Sequence, residues 1–241
     1  MKQLALILML AGFPAWAFAS SNHVKLDSVK IDLNDTPSLQ RGARIFVNYC
    51  LSCHSAGYMR YNRMGQDLGI SEELVKENLL FAANKVGDLM KAVMPREDAK
   101  IWFGVAPPDL TLIARSRKPE WVYTYMRSFY RDDKSHNGWN NTVFPHVAMP
   151  HVLYEWQGRQ RAVFKNADGV PVFEKFETER PGTMSKEKYD EAMRDLTNFL
   201  VYLGEPAKLE RYRIGVFVIL FLLVFLVFAY LLKKEYWKDV H

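Results

Sequence analysis

The sequence predicts a mainly helical domain with long loops, one small β-hairpin and a single C-terminal transmembrane helix. Three observations lead there. Apolar residues recur at helical spacing along several segments, two short β-prone runs flank an Ala-Asp-Gly turn, and 19 successive residues near the C-terminus carry no charge. Of 241 residues, 49% are hydrophobic and 24% charged, which excludes a disordered or low-complexity chain. Two cysteines are too few for a disulfide framework.

Residues 1–19, MKQLALILMLAGFPAWAFA, have the form of a secretory signal peptide. Lys2 supplies the charge, Leu4–Phe13 the apolar run, and Ala17-Phe18-Ala19 the small-x-small pattern expected before cleavage. The run is short of the roughly 20 residues that a membrane span needs. Residues 214–232, IGVFVILFLLVFLVFAYLL, are long enough to cross a bilayer once. Arg211 and Arg213 precede this stretch, and Lys233, Lys234 and Lys238 follow it, with Tyr212, Tyr230, Tyr236 and Trp237 placed as an aromatic belt. Residues 20–213 then form one exported domain, and 233–241 a cytoplasmic tail. In a bacterium this puts the chain in the inner membrane as a single-pass protein with its domain on the periplasmic side. The domain's formal charge is only slightly positive, which gives no reason to expect a nucleic-acid partner.

Within the domain, residues 20–35 are polar and read as extended. Thr36-Pro37 has the form of an N-cap followed by Pro at the first helical position, and Leu39, Ala43, Phe46, Val47 and Cys50 continue as a helical stripe. Ser71-Glu72-Glu73 opens a second helix carrying Val75, Leu79 and Ala82. Residues 84–118 read as irregular. Pro119-Glu120 opens a third helix, with Trp121, Val122, Tyr125, Met126 and Phe129 on it. Residues 131–160 hold no clear period. RAVF (161–164) and VPVF (170–173) form the predicted hairpin. Ser185 caps a last helix in which Tyr189, Met193, Leu196, Leu200 and Leu203 share a face, Gly204 stops it and Pro206 prevents its continuation. Loops this long usually carry function.

The two cysteines carry the chemistry. Cys50-Leu51-Ser52-Cys53-His54 is C-x-x-C-H. On a helix, thiols three residues apart face one side, and an imidazole four residues after the first faces it too. That is what two thioethers and an iron ligand for one haem c require. A structural zinc needs four ligands, and no second Cys pair exists. A thioredoxin-type dithiol usually sits beside a βαβ unit, and a plain disulfide leaves His54 without a role. For the opposite axial position, Met90, Met94, Met149 and Met184 remain after the methionines of the signal, of apolar helical stripes and of the segment just after His54 are set aside. Met149 lies in FPHVAMPHV between Pro145 and Pro150, with His146 and His151 as rival ligands. Spacing leaves that choice open.

RGARIFVNYCLSCHSAGYMRY, APPDLTLIARSR and FPHVAMP, followed by a single C-terminal span, resemble the cytochrome c1 family, the haem-c subunits of the quinol:cytochrome c oxidoreductase. The resemblance covers almost the whole mature chain, and it implies a class I cytochrome c-like haem domain. It implies Cys50 and Cys53 as thioether residues, His54 as proximal ligand and Met149 as the sixth ligand. Pro107 and Pro108 would pack against the ring, and Arg117, with Arg115 nearby, would pair with a propionate, for which a guanidinium fork is suited. Trp102 and Phe103 stand before Gly104 where some relatives have small polar residues.

The resemblance also implies the function. The chain would take one electron from a Rieske iron–sulfur protein and pass it to a soluble cytochrome c or an equivalent carrier, beside cytochrome b and in a complex usually found dimeric. It would break no substrate bond itself. Residues 168–195 hold eight acids against five bases, and Asp67, Glu72, Glu73 and Glu77 form another acidic group, so both are candidate steering surfaces for a basic partner. A haem enzyme with an open sixth site, an anchored subunit of a different complex and a haem-based sensor are the competing readings.

Overall fold

A computed structural model describes residues 24–167 and 169–239. The predicted signal peptide lies outside the described residues. The chain runs through α1 (Thr36–Ile45), a π-helical turn (Phe46–Cys50), β1 (Ala56–Arg60), α2 (Tyr61–Asp67), α3 (Glu72–Asn78), β2 (Leu89–Met90), α4 (Arg96–Phe103), α5 (Ile113–Arg117), α6 (Pro119–Arg127), β3 (Phe129–Arg131), β4 (Trp139–Asn141), α7 (Tyr154–Gln157), β5 (Gly158–Ala167), β6 (Val170–Pro181), α8 (Lys186–Gly204) and α9 (Lys208–Tyr236). Among the described residues there are three sheets, each an antiparallel pair: β1–β2, β3–β4 and β5–β6.

The core is built where α1 packs on α8. Leu39 and Ala43 from α1 and Phe46 from the π-helical turn that continues it meet Met193, Leu196, Phe199, Leu200 and Leu203 from α8, and all are buried. The rings of Phe46 and Phe199 lie 5.7 Å apart. The approach is close because Gly42 has no side chain: a Cβ there would sit 2.2 Å from the Asp195 carbonyl oxygen. Asp195, 1% exposed, accepts hydrogen bonds from Ser38 Oγ at 2.7 Å and from the Arg41 guanidinium. A carboxylate this deep is tolerable only with such partners. Asn198 ties the segment before α1 to α8, donating from Nδ2 to the Asp32 carbonyl (2.8 Å) and accepting the Asp32 N–H at Oδ1.

Several boundaries differ from the sequence reading. The α1 cap is Asp35 rather than Thr36, since its carboxylate accepts the Ser38 N–H at 3.0 Å. Ala82 lies beyond α3, whose cap is Ser71 as expected. The segment 84–118 is not irregular throughout: it holds β2, α4 and α5, each too short to print a period. Phe129 lies outside α6, which ends at Arg127, and starts β3. The hairpin reaches from Gly158 to Pro181, because β5 and β6 continue through polar residues that face solvent. Gly204 is the last residue of α8, where a Cβ would stand 3.0 Å from Arg115 Cγ.

The last helix, α9, has 29 residues and exposed apolar side chains on every side. Its uncharged stretch 214–232 spans about 29 Å at 1.5 Å per residue, close to the hydrocarbon thickness of a bilayer.

Candidate functional site

The two thiols are set by the end of the first helix. Leu51 N–H bonds back to the Phe46 carbonyl (2.9 Å), a π-type step, and the N–H groups of Cys53 and His54 both return to the Cys50 carbonyl at 3.1 and 2.8 Å. C-x-x-C-H is therefore one closed turn rather than the interior of a helix. The two sulfurs are not bonded to each other. Cys50 is buried, and burial pushes its thiol up to about 12, with the neighbouring Cys53 adding to the shift.

His54 is 8% exposed and its Nδ1 lies 2.8 Å from the Pro108 carbonyl oxygen. A carbonyl only accepts, so Nδ1 carries the proton and Nε2 keeps its lone pair for a metal. Burial lowers the imidazole below its ordinary range, against smaller upward contributions from Pro108 and Asp109. The loop bearing Pro108 is pinned by Asp109. Its carboxylate accepts from Gly57 N (2.8 Å), Thr111 N (2.8 Å) and Thr111 Oγ1 (2.5 Å). The Asp-x-Thr spacing of an Asx turn was visible in the sequence, but its grip on Gly57 was not.

A cleft of about 410 Å³ opens between these elements. Cys50, Cys53, His54, Pro107, Pro108, Arg117 and Met149 all line it. The rest of its wall is almost wholly apolar, including Val105, Ala106, Phe144, Leu196 and Leu200. Of the sequence candidates for the sixth ligand, Met149 alone lines the cleft. Met90 is buried at β2, and Met184 lines a separate groove beside Arg41 and Lys188. His146 is exposed with φ 60°. His151 is buried away from the cleft, its ring stacked on Phe129 at 4.9 Å, and burial pushes it down to about 4. Met126, read from the sequence as core filling, also touches the cleft.

The Met149 loop is held by asparagines. Asn141 Nδ2 donates to the Tyr125 carbonyl (2.8 Å) while its Oδ1 accepts from Val143 N and Phe144 N. Asn137 Nδ2 donates to the Ala148 carbonyl at 2.8 Å. These contacts order a segment in which the sequence shows no period. Tyr125, on α6, was read from the sequence only as part of an apolar stripe. It lines the cleft, and its hydroxyl lies 3.4 Å from Met149 Sδ.

The two arginines separate. Arg117 lines the cleft, its guanidinium 5.4 Å from the centre of the Trp121 ring. Arg115 does not line it: Nη1 reaches the Gly204 carbonyl (3.4 Å) and Glu205 (3.7 Å). The acidic stretches are largely consumed within the chain. Glu174, Glu177 and Glu179 pair with Lys165, Lys175 and Arg161, Asp190 with Arg127, and Asp195 with Arg41, while Asp67 pairs with Arg63 and Glu72 with Lys76. They present much less net negative charge than their count implies.

Two unbridged thiols, an imidazole with a free nitrogen and a thioether around one apolar cleft fit the donor set of a covalently attached haem. Among the described residues, no group of three or more His, Cys, Asp or Glu is placed to hold a metal ion in its stead. With the 29-residue apolar helix α9, the cleft and its donors are features that a membrane-anchored c-type cytochrome requires. The chain belongs to the cytochrome c1 family, whose model matches residues 28–240. It is 52% identical to cytochrome c1 of Allochromatium vinosum over 244 residues, covering all of both chains. It is 50% identical to a protein named ammonia monooxygenase gamma subunit in Nitrosomonas europaea, covering all of this chain and 98% of that one. Cytochrome c1 of Rhodospirillum rubrum is 26% identical, over 86% of this chain and 83% of its own.

Proposed function

We propose that this chain is the electron-transfer subunit of a quinol:cytochrome c oxidoreductase, with a class I cytochrome c-like domain that holds one haem c. Cys50 and Cys53 would hold it through two thioethers, and His54 and Met149 would ligate its iron. The chain accepts electrons from a Rieske iron–sulfur protein and passes them to a soluble cytochrome c or an equivalent carrier, beside cytochrome b in a dimeric complex of a respiratory or photosynthetic chain. The observation that carries this reading is the convergence of those four side chains on one apolar cleft, from segments about 95 residues apart.

When bound, the haem supplies a one-electron redox couple, so this subunit needs no acid, base or nucleophile. The chain's own residues do the remaining work. Pro108 fixes the proton of His54 on Nδ1 and so points Nε2 into the cleft. Pro107 and Pro108 line the cleft and would pack against the haem. The apolar wall excludes water, which favours the less charged, reduced state. Arg117 pairs with a propionate at the rim, where its planar fork suits a carboxylate. Arg115 instead braces the end of α8, through the Gly204 carbonyl and Glu205 just beyond it.

The topology completes the reading. Residues 1–19 are removed on export, 20–213 face the periplasm of a bacterial cell, 214–232 span the inner membrane, and 233–241 remain in the cytoplasm. The anchor keeps the cleft near the membrane surface, which shortens the distance an electron crosses.

The test uses native membranes in mild detergent. The chain is captured, its companions are identified, and quinol is added while the haem c absorption is followed. The expected result is co-capture of a cytochrome b and a Rieske protein, with reduction blocked by inhibitors of quinol oxidation. Capture with subunits of a monooxygenase, or a haem that stays oxidised with quinol yet reacts with peroxide, would overturn it.

A further inference from the structure

We propose that Tyr125 is a positioning residue for the sixth ligand: its hydroxyl donates a hydrogen bond to Met149 Sδ and thereby sets how strongly the thioether binds iron and the midpoint potential of the haem. The inference rests on the reading of Met149 as that ligand.

The hydroxyl and the sulfur are 3.4 Å apart, within the range of a bond to sulfur. Both side chains line the cleft. The Tyr125 ring has little freedom. It stacks on Trp121 with centroids 4.8 Å apart and planes 10° from parallel, and it meets Phe129 edge-on at 5.0 Å. Arg117 covers Trp121 and closes the column at the rim. The ligand loop is tied to the same helix turn, because Asn141 donates to the Tyr125 carbonyl and accepts from Val143 and Phe144. The spacing between hydroxyl and sulfur is thus fixed from both ends.

A thioether sulfur has two lone pairs, so it can bind a metal through one and accept a hydrogen bond through the other. A donor on the second pair draws electron density from the sulfur and weakens its donation. Ferric iron, one electron poorer, depends on that donation more than ferrous iron does. The hydroxyl therefore destabilises the oxidised state and raises the potential, and it leaves the ferric Met149 bond easier to displace. Hydrogen bonds to the atoms around a redox metal are a general means of tuning its potential.

The test is Tyr125→Phe in the intact membrane complex, which keeps the ring and removes the donor. The haem is confirmed to be attached, and three readouts are taken: midpoint potential, ferric affinity for imidazole, and the sulfur-to-iron charge-transfer band. The expected result is a lower potential, a changed band, and imidazole affinity reduced roughly threefold to tenfold, the equivalent of one ordinary hydrogen bond. Tyr123→Phe, in the same helix but outside the cleft, leaves all three as in the parent. An unchanged potential and affinity in Tyr125→Phe overturn the proposal. Should that variant fail to assemble, the parent protein is compared in H2O and D2O: exchange of the hydroxyl proton shifts the iron–sulfur vibration, and an unmoved vibration overturns the proposal equally. Met149→Ala separates the two readings, for a charge-transfer band that survives it removes Met149 as ligand whatever Tyr125 does.

Discussion

His54 is locked to Pro108: its Nδ1 donates to the Pro108 carbonyl across 2.8 Å, joining the end of the C-x-x-C-H turn to the loop that forms the other side of the cleft mouth. The bond serves two ends at once, since it satisfies a buried imidazole N–H and selects the tautomer that a metal needs.

Pro108→Gly tests the rigidity behind that bond. The carbonyl remains but the backbone around it is freed. The variant should lose about 1–2 kcal/mol of stability, mostly through greater freedom of the unfolded chain. Denaturant unfolding of the haem-loaded protein measures this, and a ferric electron paramagnetic resonance signal broader than the parent's would report the loosened imidazole.

Met149→Ala should leave the haem attached, since the thioethers are made elsewhere, while lowering its potential and opening the iron to carbon monoxide. Redox titration and carbon monoxide difference spectra check both effects. Retention of the parent potential would point to a different ligand.

Arg117→Gln and Arg115→Gln should differ, because only Arg117 lines the cleft. Loss of a positive charge beside a propionate favours the oxidised state, so Arg117→Gln lowers the midpoint potential. Arg115→Gln leaves the potential alone and costs less than about 1 kcal/mol, as expected for an exposed pair with Glu205. Equal shifts in the two variants would undo the assignment of the propionate partner.

Gly42→Ala probes the helix crossing that supports the cleft. The added methyl would press on the Asp195 carbonyl at 2.2 Å and on Phe199 Cβ at 2.7 Å, so the helices must part. Overpacking of this kind costs about 1–3 kcal/mol, against which the higher helix propensity of Ala recovers a fraction. Thermal unfolding measures the balance, and a stability equal to the parent's would show that α1 can shift freely on α8.

The legible part of this protein was local. The stripe Tyr189-Met193-Leu196-Leu200-Leu203 printed α8, and all five residues are buried as its period requires. C-x-x-C-H printed the thiol spacing, because a single turn closed on the Cys50 carbonyl is a short-range object. The segment 84–118 read as irregular because α4 and α5 are 8 and 5 residues long, less than the span over which a helical period shows. The Met149 loop hid for a different reason. Its order comes from asparagine side chains bonding to distant backbone, which leaves no periodic trace.

Local residue order alone encodes the turn that presents the thiols, the amphipathic faces of the long soluble helices and the uncharged C-terminal stretch. Each depends on residues within a few positions of one another. Packing of the whole chain settled which methionine lines the cleft with His54, which arginine reaches it, that Asp195 is buried rather than displayed, and that the Tyr125 hydroxyl lies beside the Met149 sulfur. Those are pairings across tens to more than a hundred residues, chosen by how α1, α6 and α8 pack, and no local pattern encodes the distance between side chains that meet only after the chain has closed on itself.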